Sequence, residues 1–218
     1  MPTTVGVSKA TLTYEDEQGN TGKEILTFVI GSDDTVVAAA TTEYMLTSDT
    51  YSTRSKLYVA GGSGEYTYQI INAGNVNADL DDDDHEDVIV RDIKTPGEYP
   101  VVVRVTDKNG KSCDVTAIFK VKETYKFTCK VTDAQGNAIK DATVRCENVD
   151  KNEKFCSSNI LYFSENGQYE GYLVPGTYDI KVSCGSDDSY TEVNQYNVTV
   201  GNGGTLPNVS LPVYSKIW

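Results

Sequence analysis

The densest set of metal-competent side chains is Asp79-Leu80-Asp81-Asp82-Asp83-Asp84-His85-Glu86-Asp87. Hard cations such as calcium take several oxygen ligands, so calcium is the ion that residues 81–87 could bind. The run lacks the glycine-punctuated spacing of an EF-type loop, which makes a solvated acidic loop the simpler reading. Calcium is therefore not favoured, and no cofactor is expected. His85 is the only histidine of the chain. A nucleophilic Ser or Cys needs a base beside it, and one histidine inside a polyacidic stretch makes a triad untenable. Glycoside cleavage needs two carboxylates held across a cleft, and no pattern positions such a pair. No catalytic residue is assigned, and the chain is not expected to be an enzyme.

Five cysteines are an odd number, and none forms a C-x-x-C pair, so zinc is not expected. Cys129 shares a strand face with Phe127 and Val131, Cys146 with Ala142 and Val144, and Cys184 with Ile180 and Val182. These three read as small core residues, the usual place of a reduced thiol. Cys113 and Cys156 sit near strand ends. A Cys129–Cys146 bridge between neighbouring strands stays open on sequence alone. Core thiols favour synthesis in a reducing compartment. Tyr66, Tyr68 and Ile70 share one face, either as a sugar-stacking platform or, more simply, as core. Asn197-Val198-Thr199 and Asn208-Val209-Ser210 match the glycosylation sequon, a short motif given little weight.

The elements that must carry these residues are strands. The 218 residues include 15 Tyr and 18 Gly and are 39% hydrophobic. No stretch shows apolar residues at helical spacing, so the fold class is all-β. A net charge of −13 spread along the chain argues against nucleic acid and against anionic membranes. No stretch approaches transmembrane length, so membrane insertion is not expected. Met1-Pro2-Thr3-Thr4-Val5 has neither a basic nor an apolar targeting region. The expectation is a chain used without secretion, or a fragment of a longer exported protein.

The organising motif is Pro175-Gly176-Thr177-Tyr178, with a second copy at Pro96-Gly97-Glu98-Tyr99. Pro-Gly reverses the chain, and the following Tyr can bury its ring and return its hydroxyl to the turn backbone. That tyrosine corner belongs to Greek-key sandwiches, so two copies predict tandem immunoglobulin-like Greek-key β-sandwiches. We expect an N-terminal β-hairpin over 1–31, one sandwich over 32–122, a second over 123–214, and a tail at 215–218. In the first sandwich, strands are predicted near 35–40, 56–60, 65–72, 87–92, 99–106 and 113–122. In the hairpin, Ala10, Leu12 and Tyr14 alternate against Leu26, Phe28 and Ile30. Asp16, Gly19, Phe28 and Ile30 match Asp107, Gly110, Phe119 and Val121 at constant offset. Residues 1–31 are thus either the last strands of a partial immunoglobulin-like unit or a docking segment.

The turns at Gly61-Gly62-Ser63-Gly64-Glu65-Tyr66, Pro96-Gly97-Glu98-Tyr99 and Asp107-Lys108-Asn109-Gly110 resemble bacterial Ig-like domains of the PKD/SprB-repeat kind. The stretch from Phe127 to Val144, with Asn166-Gly167-Gln168-Tyr169, Leu173-Val174-Pro175-Gly176-Thr177-Tyr178 and Tyr196-Asn197-Val198-Thr199-Val200, resembles the carboxypeptidase regulatory-like and Cna-B-type (transthyretin-like) seven-stranded sandwich. That resemblance implies a non-catalytic spacer, display or adhesion module. Some Cna-B-type domains form a Lys–Asn isopeptide bond. Here Lys126 and Lys130 lie opposite Phe127, Cys129 and Val131, and Asn197 lies opposite Tyr196, Val198 and Val200, so none faces a core. The functional expectation is a non-enzymatic structural or display protein, an auxiliary or decoration component on the surface of a virion-like assembly. The alternative is a fragment of a bacterial cell-surface adhesin or extracellular glycan-binding protein. The partner expected is a protein of a larger assembly, or else a host-surface glycan or protein. The docking residues expected are Leu12, Tyr14, Phe28 and Ile30, with Trp218 in the tail.

Overall fold

The computed structural model describes residues 4–15, 17, 19, 21–81, 86–150, 153–155, 158–184 and 190–213. Among these residues every regular element is a strand, and no helix is long and apolar enough to cross a membrane. The chain divides into two compact units, Met1–Lys122 and Glu123–Trp218.

The first unit carries β1 (Gly6–Glu15), β2 (Thr21–Ile30), β3 (Val37–Ala40), β4 (Thr42–Leu46), β5 (Thr53–Ala60), β6 (Tyr66–Asn72), β7 (Asn77–Leu80), β8 (Asp87–Arg91), β9 (Gly97–Asp107) and β10 (Ser112–Lys122). Two four-stranded sheets form its sandwich, in the orders β3-β5-β8-β7 and β4-β10-β9-β6. This is the immunoglobulin-like layout, with a first strand split between the sheets: β3 pairs antiparallel with β5, and β4 runs parallel to β10. The core follows from strand alternation. Val101, Val103 and Val105 are wholly buried on β9, and Ala117 and Phe119 on β10. Arg104, one position out of phase, faces outward and forks onto Asp114 of β10 at 2.8 and 2.9 Å.

β4 and β7 lie outside the sequence expectation. In β4 the consecutive Met45 and Leu46 are both buried, which hides any alternation. β7 is a short, polar edge strand whose Asn77-Ala78-Asp79-Leu80 has no strand signature. Tyr66, Tyr68 and Ile70 pack against the core cluster, as the simpler reading of that face had it.

The second unit contains β11 (Tyr125–Cys129), β12 (Val131–Thr132), β13 (Ala142–Asn148), β14 (Ser158–Phe163), β15 (Tyr169–Leu173), β16 (Gly176–Cys184), β17 (Val193–Val200), β18 (Gly204–Thr205) and β19 (Val209–Ser210). Its main sheet runs β17-β16-β13-β14-β15-β11-β18. β14 links two halves: Ile160 and Leu161 pair with β13, while Tyr162 and Phe163 pair with β15. Tyr169, Tyr178, Leu161, Leu173 and Ile180 fill the core.

Both tyrosine corners are present. Tyr178 is fully buried and its hydroxyl donates to the Val174 carbonyl at 2.9 Å. Tyr99 donates to the Thr95 carbonyl at 2.8 Å from a more open position. The same Asp-led turn also occurs once within each unit. Asp107 accepts from the amides of Asn109 (2.9 Å) and Lys111 (2.7 Å), and Asp133 from those of Gln135 (2.9 Å) and Asn137 (2.8 Å). The glycine three residues after each Asp has φ +84° or +86°, a conformation that only glycine adopts without strain.

Two readings need correction. Tyr196 does not share an inward face with Val198 and Val200. The pairing of β16 with β17 shifts between Tyr178 and Ile180, and Asn197 takes φ +55° while donating its amide to Asp179 at 2.9 Å. The extra residue of this bulge turns Tyr196 out, to 69% exposure. Nor are β11 and β13 neighbours, since β14 and β15 separate them in the sheet order. Cys129 and Cys146 are both buried and carry thiols, as do the half-buried Cys113 and Cys184. Burial pushes the Cys129 thiol up to about 11. Cys156 lies outside the described residues.

Candidate functional site

The β1–β2 hairpin is a two-stranded sheet of its own, with an unbroken register from Gly6↔Ile30 to Glu15↔Thr21. Gly19 and Gly110 stand 91 positions apart, and the same offset carries Phe28 to Phe119. The pairing obeys it as well: Glu15↔Thr21 corresponds to Thr106↔Ser112 of β9–β10. The hairpin therefore has the register of the last two strands of the sandwich beside it, with each strand one residue shorter. In that sandwich β9 is flanked by β6 and β10 by β4; neither flanking strand has a counterpart on β1–β2 among the described residues.

Directly opposed residues of an antiparallel pair point to the same side. Ser8, Ala10, Leu12 and Tyr14 therefore share a face with Gly22, Glu24, Leu26, Phe28 and Ile30, apolar except for Ser8 and the Glu24 that stands opposite Leu12. Leu12 is 51% and Tyr14 56% exposed, and Leu26 is exposed too, whereas Phe28 and Ile30 are half-buried. Tyr14 lies across Gly22, where a methyl group would fall 2.3 Å from the ring. The other face is less polar than its pattern predicts, because Ile25 and Val7 are also exposed there. Sequence reasoning passed over both, since strict alternation assigned that face to solvent. Trp218 lies outside the described residues.

The hairpin joins the sandwich through a close backbone crossing. A Cβ on Gly31 would fall 2.4 Å from the Ala60 carbonyl, and the Gly62 amide donates to Ser32 at 2.8 Å. Beside the junction, Thr27 and Val29 line an open groove of about 330 Å³ with Lys56, Tyr58, Tyr66 and Glu86.

The other candidate groups are scattered. Asp81 and Asp87 flank the acidic run, and both face the Arg54 guanidinium, in contact with Asp81 and 3.8 Å from Asp87. Residues 82–85, with His85, lie outside the described residues. Among the described residues no three His, Cys, Asp or Glu side chains gather as a metal site. Lys126 pairs with Glu170 at 2.6 Å on the surface, and that hydrogen bond raises its pKa. Lys130 and Asn197 are solvent-exposed.

No protein-family model and no curated protein matches the chain. Among solved structures, it is similar to the PKD domain of human KIAA0319 (13% identity, 43% of this chain, 84% of that one, TM-score 0.31). It is also similar to protocadherin gamma B7 extracellular cadherin domains 1–4 (15%, 88% of this chain, 57% of that one, 0.33). The third is BcpA, the major pilin subunit of Bacillus cereus (9%, 93% and 78%, 0.30). The fold assignment rests on the strand pairing rather than on likenesses at this level.

Proposed function

We propose that this chain is a non-enzymatic structural module of an extracellular or cell-surface adhesive assembly, attached through the β1–β2 hairpin. The observation that carries the reading is the apolar face of Leu12, Tyr14, Leu26, Phe28 and Ile30 on a two-stranded sheet. Such a sheet is marginal by itself and gains stability when a partner covers it. The resemblance to PKD-type and Cna-B-type modules supports a spacer or adhesion role, with a protein, or a glycan, of the surface as partner. Phe28→Ala and Leu12→Ser should move the protein from the particulate surface fraction of its source cell to the soluble fraction, with the melting of residues 35–214 preserved. Retention of both variants in the particulate fraction would sink this reading.

Decoration of a virion surface is the second reading, favoured by the buried thiols of Cys129 and Cys146. It requires five alkylatable thiols in the denatured, unreduced native protein. Two disulfides with one remaining thiol would leave the exported, cell-surface module.

A further inference from the structure

We propose that β1 pairs antiparallel with β1 of a second copy of this chain, across a two-fold axis at Leu12, joining two hairpins into one four-stranded sheet. The inference deepens the reading of the hairpin as the working surface by naming an occupant for its open edge. β9, which β1 matches in register, takes the antiparallel β6 on the edge away from its hairpin partner. On β1 that edge has no strand among the described residues.

The sequence of β1 selects both the partner and the register. Only registers that oppose residues of like parity keep the apolar face continuous. Among these, one places Lys9 of each copy opposite Glu15 of the other. The same register sets Ala10 opposite Tyr14, Thr11 opposite Thr13, and Leu12 opposite itself. Both ends then close with opposite charges, the Thr pairs can exchange hydrogen bonds, and the apolar residues meet on one side. β2 offers no equivalent: Lys23 and Glu24 lie on opposite faces, so no face-preserving β2–β2 register joins them.

Two further observations fit. The hairpin strands are neutral, with Lys9 and Lys23 against Glu15 and Glu24, in a chain of net charge −13 that otherwise repels its copies. β1 also carries no defence against edge pairing. It has no proline and no bulge over ten residues, and no charge between Lys9 and Glu15.

The test is sedimentation velocity of the whole chain over a concentration series at low salt. The wild type should show a concentration-dependent dimer. Lys9→Glu or Glu15→Lys alone should weaken self-association by about tenfold, since each replaces two attractive contacts by two repulsive ones. An equimolar mixture of the two variants should recover the wild-type dimer, because each supplies the charges the other needs. Independently, Leu12→Cys should give a dimer linked through position 12 on oxidation, as directly opposed strand residues lie within disulfide reach; Val7→Cys should not. A wild type that stays monomeric, charge swaps without effect, a mixture without recovery, or oxidation that links only the native cysteines would overturn the proposal. These assays use purified protein alone, so a negative result leaves attachment to a larger assembly to be judged by the fractionation of Phe28→Ala.

Discussion

At the scale of single residues, the tyrosine hydroxyls hold the turns. Tyr178→Phe leaves the buried Val174 carbonyl without the donor it now has and should cost about 1–3 kcal/mol in chemical denaturation. Tyr99→Phe should cost less, because water can reach its site. The Pro-Gly-x-Tyr spacing made both corners legible in advance. Tyr169 was not legible in the same way. Its hydroxyl donates to Ile139 at 2.9 Å and accepts from the Ala142 amide at 2.8 Å, pinning a loop about thirty residues earlier in the chain. No local pattern announces a partner that distant. Asp107 makes a pH prediction. Burial alone would raise its pKa, but the amides of Lys111, Ser63 and Asn109 outweigh that and hold it below the usual carboxylate range. Its hydrogen bond to Asn137 does the same for Asp133. A depressed folded pKa means stabilisation that is present above the unfolded value and lost as pH falls through the folded one. Melting temperature should therefore drop as pH falls below about 4, and Asp107→Asn should flatten part of that drop while lowering the neutral-pH value. An equal acid dependence in wild type and variant would contradict the role given to Asp107.

At the scale of elements, strands with strict alternation were readable and the rest were not. β9 and β10 alternate buried and exposed residues and stand out in the sequence. β4 and β7 do not, because one buries adjacent residues and the other is a polar edge. The β17 bulge reversed the facing of Tyr196, since one extra residue flips every side chain beyond it. The offset of 91 residues was legible from four matching positions, but the identity of the two hairpin registers needed the structure. The crossing of Gly31 over Ala60 and Gly61 sets how the hairpin leaves the sandwich. Gly31→Val should separate those backbones, and limited proteolysis should then cut near 31–35 well before the sandwich opens. A cleavage pattern unchanged from wild type would show that the junction tolerates the side chain.

At the scale of the whole molecule, the chain carries two sandwiches and a separate two-stranded sheet on which Leu12, Tyr14 and Leu26 stand exposed. The shared face of Leu12, Tyr14, Phe28 and Ile30 was legible, because the alternation places all four on one side of the hairpin. Exposed Ile25 and Val7 on the reverse side were not, because a hairpin outside a sandwich has no fixed inward face. The buried Cys129 should resist alkylation in the native protein at mildly alkaline pH and react fully once denatured, which iodoacetamide labelling with mass spectrometry would read. The most direct test of the hairpin as attachment surface is amide hydrogen exchange over residues 6–30, compared between the isolated chain and its native assembly. At concentrations where the isolated chain is monomeric, attachment through the hairpin predicts faster exchange over residues 6–30 than in the assembly, with β9 and β10 unchanged. Equal exchange of residues 6–30 in both states would contradict it.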